Sequence, residues 1–151
     1  MGKKRATKKI RVVFDTNIWV SLALKKGLAE SYKPILEDKK RISIYMSGQM
    51  LSELGRVLTY PRIAQILEKS NVDPRSALAS IVKRVSLRTV IEGTIDEIKS
   101  DESDNRVLEC ALDSQASYVV SGDLHLSDLK EFQGIKIVTA SRFLDIASKL
   151  G

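Results

Sequence analysis

With one cysteine in 151 residues, Cys110, the chain can form neither an intramolecular disulfide nor a thiolate-rich zinc site, a pattern that suits a reducing compartment. Long apolar runs are also missing. No stretch approaches the roughly 20 residues that a helix needs to cross a bilayer. The basic N-terminus imitates the start of a secretory signal, but the apolar segment behind it is broken by Asp15 and Asn17 and has no cleavage site. The expected location is the cytoplasm, with no membrane partner. There is no internal repeat, no low-complexity tract and no sign of a second domain.

What is present fits a compact fold. Hydrophobic residues make up 43% and charged residues 29%, near globular averages. A chain of this length buries about two thirds of its unfolded surface, so it needs no covalent staple. The net charge of +6 suggests nucleic acid, but its distribution matters more than its sum. Lys3, Lys4, Arg5, Lys8, Lys9 and Arg11 crowd the first 11 residues without an acid, and setting those six charges aside leaves residues 12–151 neutral. Residues 1–9 are expected to be a disordered basic tail and residues 10–151 a single domain. The tail reads equally as a phosphate-tracking arm and as a solubilising extension.

Short apolar strands are expected at Ile10–Phe14, Ile42–Tyr45, Leu87–Ile91, Tyr118–Val120 and Ile135–Val138. Helices are expected between them: Ile18–Lys26 stopped by Gly27, Leu28–Asp38 with Pro34 as a blemish, a helix capped by Ser47 and running to Leu58, one starting at Pro74 and reaching Val85, Asp104–Gln115, and Ser141–Lys149. Pro61 ends or restarts the helix before it. Alternation of this kind implies an α/β domain with a mainly parallel sheet and helices on both faces.

Two distant strands end alike, Val12-Val13-Phe14-Asp15 and Val119-Val120-Ser121-Gly122-Asp123. In a parallel sheet such ends share the edge where ligands of open α/β folds bind, which makes Asp15 and Asp123 neighbours. The stretch from Asp96 to Asp113 holds seven acids against two bases. Within it, Asp104 shares a helix face with Val107, Leu108 and Ala111 and so turns toward the body of the protein. Glu53 lies at the flank of the stripe formed by Met50, Leu51, Leu54, Val57 and Leu58, about 100° from its centre. Carboxylates gathered at one rim repel each other unless cations lie between them. With one histidine and no cysteine pair, oxygen ligands favour Mg²⁺ or Mn²⁺, ions suited to phosphodiester hydrolysis. Any one of these acids alone reads as a helix cap or turn former. Taken together, the two strand-terminal aspartates and the inward-facing Asp104 bring the metal reading level with that one.

The ordered set of motifs resembles the PIN-domain ribonucleases, in particular the stand-alone prokaryotic toxins of toxin–antitoxin systems. It consists of Val12-Val13-Phe14-Asp15-Thr16-Asn17, Ser47 to Leu58 with Leu51-Ser52-Glu53-Leu54, Asp101-Glu102-Ser103-Asp104-Asn105, Ser121-Gly122-Asp123, and the closing Ile135-Lys136-Ile137-Val138-Thr139 with Phe143-Leu144. The resemblance spans roughly residues 10–147. It implies a Rossmann-like PIN fold, metal-dependent RNA cleavage, and an acidic quartet of Asp15, Glu53, Asp104 and Asp123 that ligates metal directly or through water. Asn17 and Ser121 fall at supporting positions that orient Asp15 and Asp123, and Asp101 belongs to the same motif as Asp104. An antitoxin partner and a homodimer are implied as well.

One departure is His125, where many relatives carry a further aspartate; Asp128 lies further on. Either can stand in, although His125 between Leu124 and Leu126 reads as a turn residue, and Trp19 and Cys110 read as packing residues. A phosphatase of the haloacid dehalogenase type also has a strand-terminal Asp. That class needs an acid where this chain has Asn17, and a late Asp where it has Ser127. A catalytically silent RNA- or protein-binding module is the rival from another class, and the presence of all four acids argues against it.

Overall fold

The computed structural model describes residues 9–91 and 102–150, so that most of the basic tail, and Asp101 with it, lie outside the described residues. Among the described residues six strands make one sheet: β1 (Ile10–Phe14), β2 (Ile42–Ser47), β3 (Ser86–Arg88), β4 (Tyr118–Val120), β5 (Glu131–Phe132) and β6 (Ile135–Val138). Their order is β3-β2-β1-β4-β6-β5, parallel throughout except for β5. Between the strands run α1 (Thr16–Leu24), α2 (Lys26–Glu37), α3 (Gly48–Leu58), α4 (Pro61–Lys69), α5 (Pro74–Val82), α6 (Glu102–Asp113), α7 (Leu124–Leu129) and α8 (Ala140–Ser148).

β1 lies in the middle of the sheet, and Val12, Val13 and Phe14 are wholly buried, which accounts for an unbroken apolar run where a half-exposed strand would alternate. Side chains alternate between the faces of the sheet. On the Phe14 face its ring meets Trp19 of α1, Tyr32 of α2 and Phe143 of α8 at 5.0, 5.7 and 5.9 Å. The Tyr32 hydroxyl, buried with its ring, donates to Ala140 O at 2.6 Å and ties α2 to α8. On the opposite face Arg11 donates to Ser114 O, just past α6, which packs across β1, β2 and β4. Helices therefore cover both faces, as expected. Trp19 and Cys110 are both buried, and burial pushes the Cys110 thiol up to about 12.

Several boundaries differ from expectation, each for a local reason. Gly27 does not stop α1. The break falls at Lys25, whose extended backbone (φ −113°, ψ 103°) ends α1 and starts α2, and Gly27 sits in the first turn of α2. α2 also runs through Pro34. α5 ends at Val82, three residues early, and β3 is confined to Ser86–Arg88. α6 starts at Glu102, ahead of Asp104, and ends at Asp113 before Gln115 turns left-handed (φ 56°). Two elements were not anticipated, α7 and β5. β5 pairs antiparallel with β6 through Gln133-Gly134, whose positive φ values of 48° and 86° form the tight reversal such hairpins require.

Candidate metal centre

In this strand order the chain proceeds outward from β1 through β2 to β3 on one side, and on the other side of β1 lie β4, then β6, with β5 at the edge. β1 and β4 therefore flank the point where the winding reverses, and a crevice forms outside their C-terminal ends. Asp15 leaves β1 there, its N–H bonded to Val120 O at 2.9 Å, and Asp123 follows β4 by three residues.

Ser121 joins the two acids. Its hydroxyl donates to Asp15 Oδ2 at 2.7 Å, and Ser121 Oγ in turn accepts the Asp123 N–H at 2.9 Å. Asp15 is buried and occupies the N-cap position of α1. Its pKa is raised, first by burial and further by the nearby charges of Asp123 and Glu53, while the Ser121 hydroxyl and the Asn17 backbone N–H pull the other way. Asn17 thus acts through its main chain. Its side chain is exposed, and the orienting role expected of it falls to Ser121.

Glu53 reaches the rim from α3, which Ser47 caps by accepting the Met50 N–H. Two hydroxyls hold its carboxylate, Thr16 Oγ1 at 3.0 Å and Ser103 Oγ at 2.8 Å. The sequence reading missed both, although each neighbours a proposed acid, and a hydroxyl beside an acid at an element boundary is the signal that would have found them. Asp104 is buried in the first turn of α6, where the helix dipole favours a negative charge. All four acids thus gather around one crevice.

Asp123 caps α7 by accepting the His125 N–H at 2.7 Å. That bond places the ring of His125 beside the acids, its Nδ1 at 3.6 Å from Asp104 Oδ2 and 3.7 Å from Asp123 Oδ1. Ligand atoms of Asp104, Asp123 and His125 all lie within 4.8 Å of one another. The turn reading of His125 is thus incomplete, because capping and approach to the acids come from the same residue. Asp128 does not join this group. It is exposed on α7, three residues beyond His125 and so about 4.5 Å further along the helix axis. Oxygen-rich donors, partly desolvated and mutually repelling, fit a divalent cation.

The PIN domain pattern matches residues 11–125, the segment that carries every residue of the crevice described above. The chain belongs to the PIN domain family. Members of that family are typically nucleases that use divalent metals. It is 27% identical over 126 residues to the uncharacterized protein MJ1680 of Methanocaldococcus jannaschii, which covers 82% of this chain and 77% of that protein. Among solved structures, VapBC2 from Rickettsia felis, bound to a DNA fragment from its promoter, superposes with a TM-score of 0.60 at 19% identity, covering 86% of this chain and 98% of that one. PAE2754 from Pyrobaculum aerophilum gives 0.58 at 14% identity, covering 95% and 93%. These two likenesses concern the PIN fold. Among the described residues no helix is long and apolar enough to cross a membrane.

Proposed function

We propose that this PIN-domain protein is a Mg²⁺- or Mn²⁺-dependent ribonuclease that acts in the cytoplasm as the toxin of a toxin–antitoxin pair. The observation that carries the reading is the gathering of Asp15, Glu53, Asp104 and Asp123 from four separate elements at one crevice, with Asp104 and Asp123 close enough to share an ion. When bound, a divalent cation there activates water and neutralises charge on a phosphodiester during in-line attack.

The chain's own residues prepare that crevice. Ser121 fixes Asp15 and the backbone of Asp123 together, so the ends of β1 and β4 cannot drift apart without breaking a hydrogen bond. Thr16 and Ser103 aim Glu53 from either side. Burial excludes water from Asp15 and Asp104, which strengthens their pull on a cation. The toxin role draws on family membership and on the likeness to VapBC2.

The test is cleavage of a labelled single-stranded RNA by the full chain. Cutting should require added Mg²⁺ or Mn²⁺, stop with EDTA and disappear in Asp104→Asn. Cleavage that persists in EDTA, with contaminating nucleases excluded, would overturn the mechanism. Mn²⁺ binding without any cleavage would favour a silent binding module.

A further inference from the structure

His125 is the single histidine of the chain, and its ring lies where the ligand atoms of two acids converge. Nδ1 is almost equidistant from Asp104 Oδ2 and Asp123 Oδ1, at 3.6 and 3.7 Å. Both separations exceed hydrogen-bond range, so the ring approaches both carboxylates while bonding neither. For comparison, neighbouring ligands about 2.1 Å from an octahedral ion lie about 3.0 Å apart. Closing each gap by somewhat more than half an ångström therefore brings Nδ1 to the spacing at which it and either carboxylate oxygen can share one cation.

The ring's position is built in. Asp123 accepts the His125 N–H at 2.7 Å, which fixes the first turn of α7, and Leu126 beside it is wholly buried and anchors that turn in the core. The side chain itself is half-exposed, so the imidazole is free to adjust toward an incoming ion. An oxygen-only cluster would suit Mg²⁺, whereas imidazole suits transition metals and is a poor ligand for that hard, oxygen-seeking cation.

We propose that His125 Nδ1 is a direct metal ligand with Asp104 and Asp123, and that this mixed nitrogen–oxygen set selects Mn²⁺ over Mg²⁺. The inference rests on the metal-dependent reading above and specifies which ion the centre takes.

The decisive experiment loads the full chain with Mn²⁺ and records pulsed electron paramagnetic resonance, alongside calorimetric titrations of Mn²⁺ and Mg²⁺. Because the chain has one histidine, directly bound imidazole nitrogen can come only from His125. The wild type should show strong ¹⁴N coupling to Mn²⁺, and His125→Gln should lack it. In His125→Asp, which restores an all-oxygen set, the preference for Mn²⁺ over Mg²⁺ should fall by about tenfold or more, the scale on which ligand surroundings tune metal affinity. Mn²⁺ bound without ¹⁴N coupling, or an unchanged preference in both variants, overturns the role of His125 and leaves the acidic metal centre standing. No Mn²⁺ binding by wild type or variants overturns the role of His125 and the metal-dependent reading together.

Discussion

The Ser121 hydroxyl donates to Asp15 Oδ2 at 2.7 Å across 106 positions of sequence. Because Ser121 Oγ also accepts the Asp123 N–H, one side chain ties the Asp15 carboxylate to the backbone of Asp123 at the point where the sheet's winding reverses. Ser121→Ala should therefore cost more than an ordinary surface hydroxyl. A hydrogen bond to a charged acceptor contributes about 1.5–3 kcal/mol, so chemical denaturation at pH 7 should show a loss of about 2 kcal/mol. Metal affinity should fall by about 10- to 100-fold, as when groups that orient ligands are removed. A variant that unfolds and binds Mn²⁺ like wild type would mean that Ser121 merely fills space.

A second prediction concerns the charge on Asp15. Burial raises its pKa above the ordinary 3.8, so between the unfolded and folded values the folded state holds more protons than the unfolded one. The stabilisation this gives is complete below the unfolded pKa and is lost as pH rises through the folded one. Above that window the protein carries a buried, repelled carboxylate at a cost. Asp15→Asn keeps an acceptor for Ser121 and removes the charge. In EDTA its melting temperature should exceed that of wild type at pH 7, with the gap narrowing as pH falls through the window. A gap that stays constant across pH would show that charge is not the cause.

How much of this could be read from residues alone depended on whether the signal was local. Strands buried on both faces announced themselves as runs such as Val12-Val13-Phe14, and four of the five expected strands lie where the sequence put them. Asp104 was legible because helical spacing ties it to Val107, Leu108 and Ala111, which the fold buries together. The elements that escaped are short: β5 has two residues and α7 six, too few for a period to show. At the crevice, the hydroxyls of Thr16 and Ser103 serve a carboxylate on another helix, and that pairing exists only once α1, α3 and α6 have packed. His125 was named as a stand-in for the missing aspartate but read as a turn residue, because its place at the start of α7 accounts for it locally.

The basic N-terminus supports a third prediction. Deleting residues 2–9 removes Lys3, Lys4, Arg5, Lys8 and Lys9 and leaves Arg11 within β1. If these cations track phosphates, single-stranded RNA binding should weaken and its log–log salt slope should flatten by up to about 0.7 for each phosphate no longer neutralised. Fluorescence anisotropy at several salt concentrations would measure this. An identical slope would make the segment a bystander.

The last prediction separates a metal centre from carboxylates that only shape turns. Asp123 does cap α7, through the His125 N–H, and asparagine caps about as well as aspartate. In EDTA, Asp123→Asn should therefore unfold no more readily than wild type, and relief of repulsion with Asp15 should move it the other way. Mn²⁺ should separate the two proteins. When free metal exceeds its dissociation constant a hundredfold, wild type should gain about 2.7 kcal/mol by linkage. Asp123→Asn and Asp104→Asn should each lose most of that gain, and RNA cleavage with it. Asp104 gives the cleaner comparison because it forms no part of the α7 cap, so a shared loss of the Mn²⁺ response cannot be traced to a damaged turn. If both variants keep the full Mn²⁺ shift and still cut RNA, Asp104 and Asp123 serve only the fold.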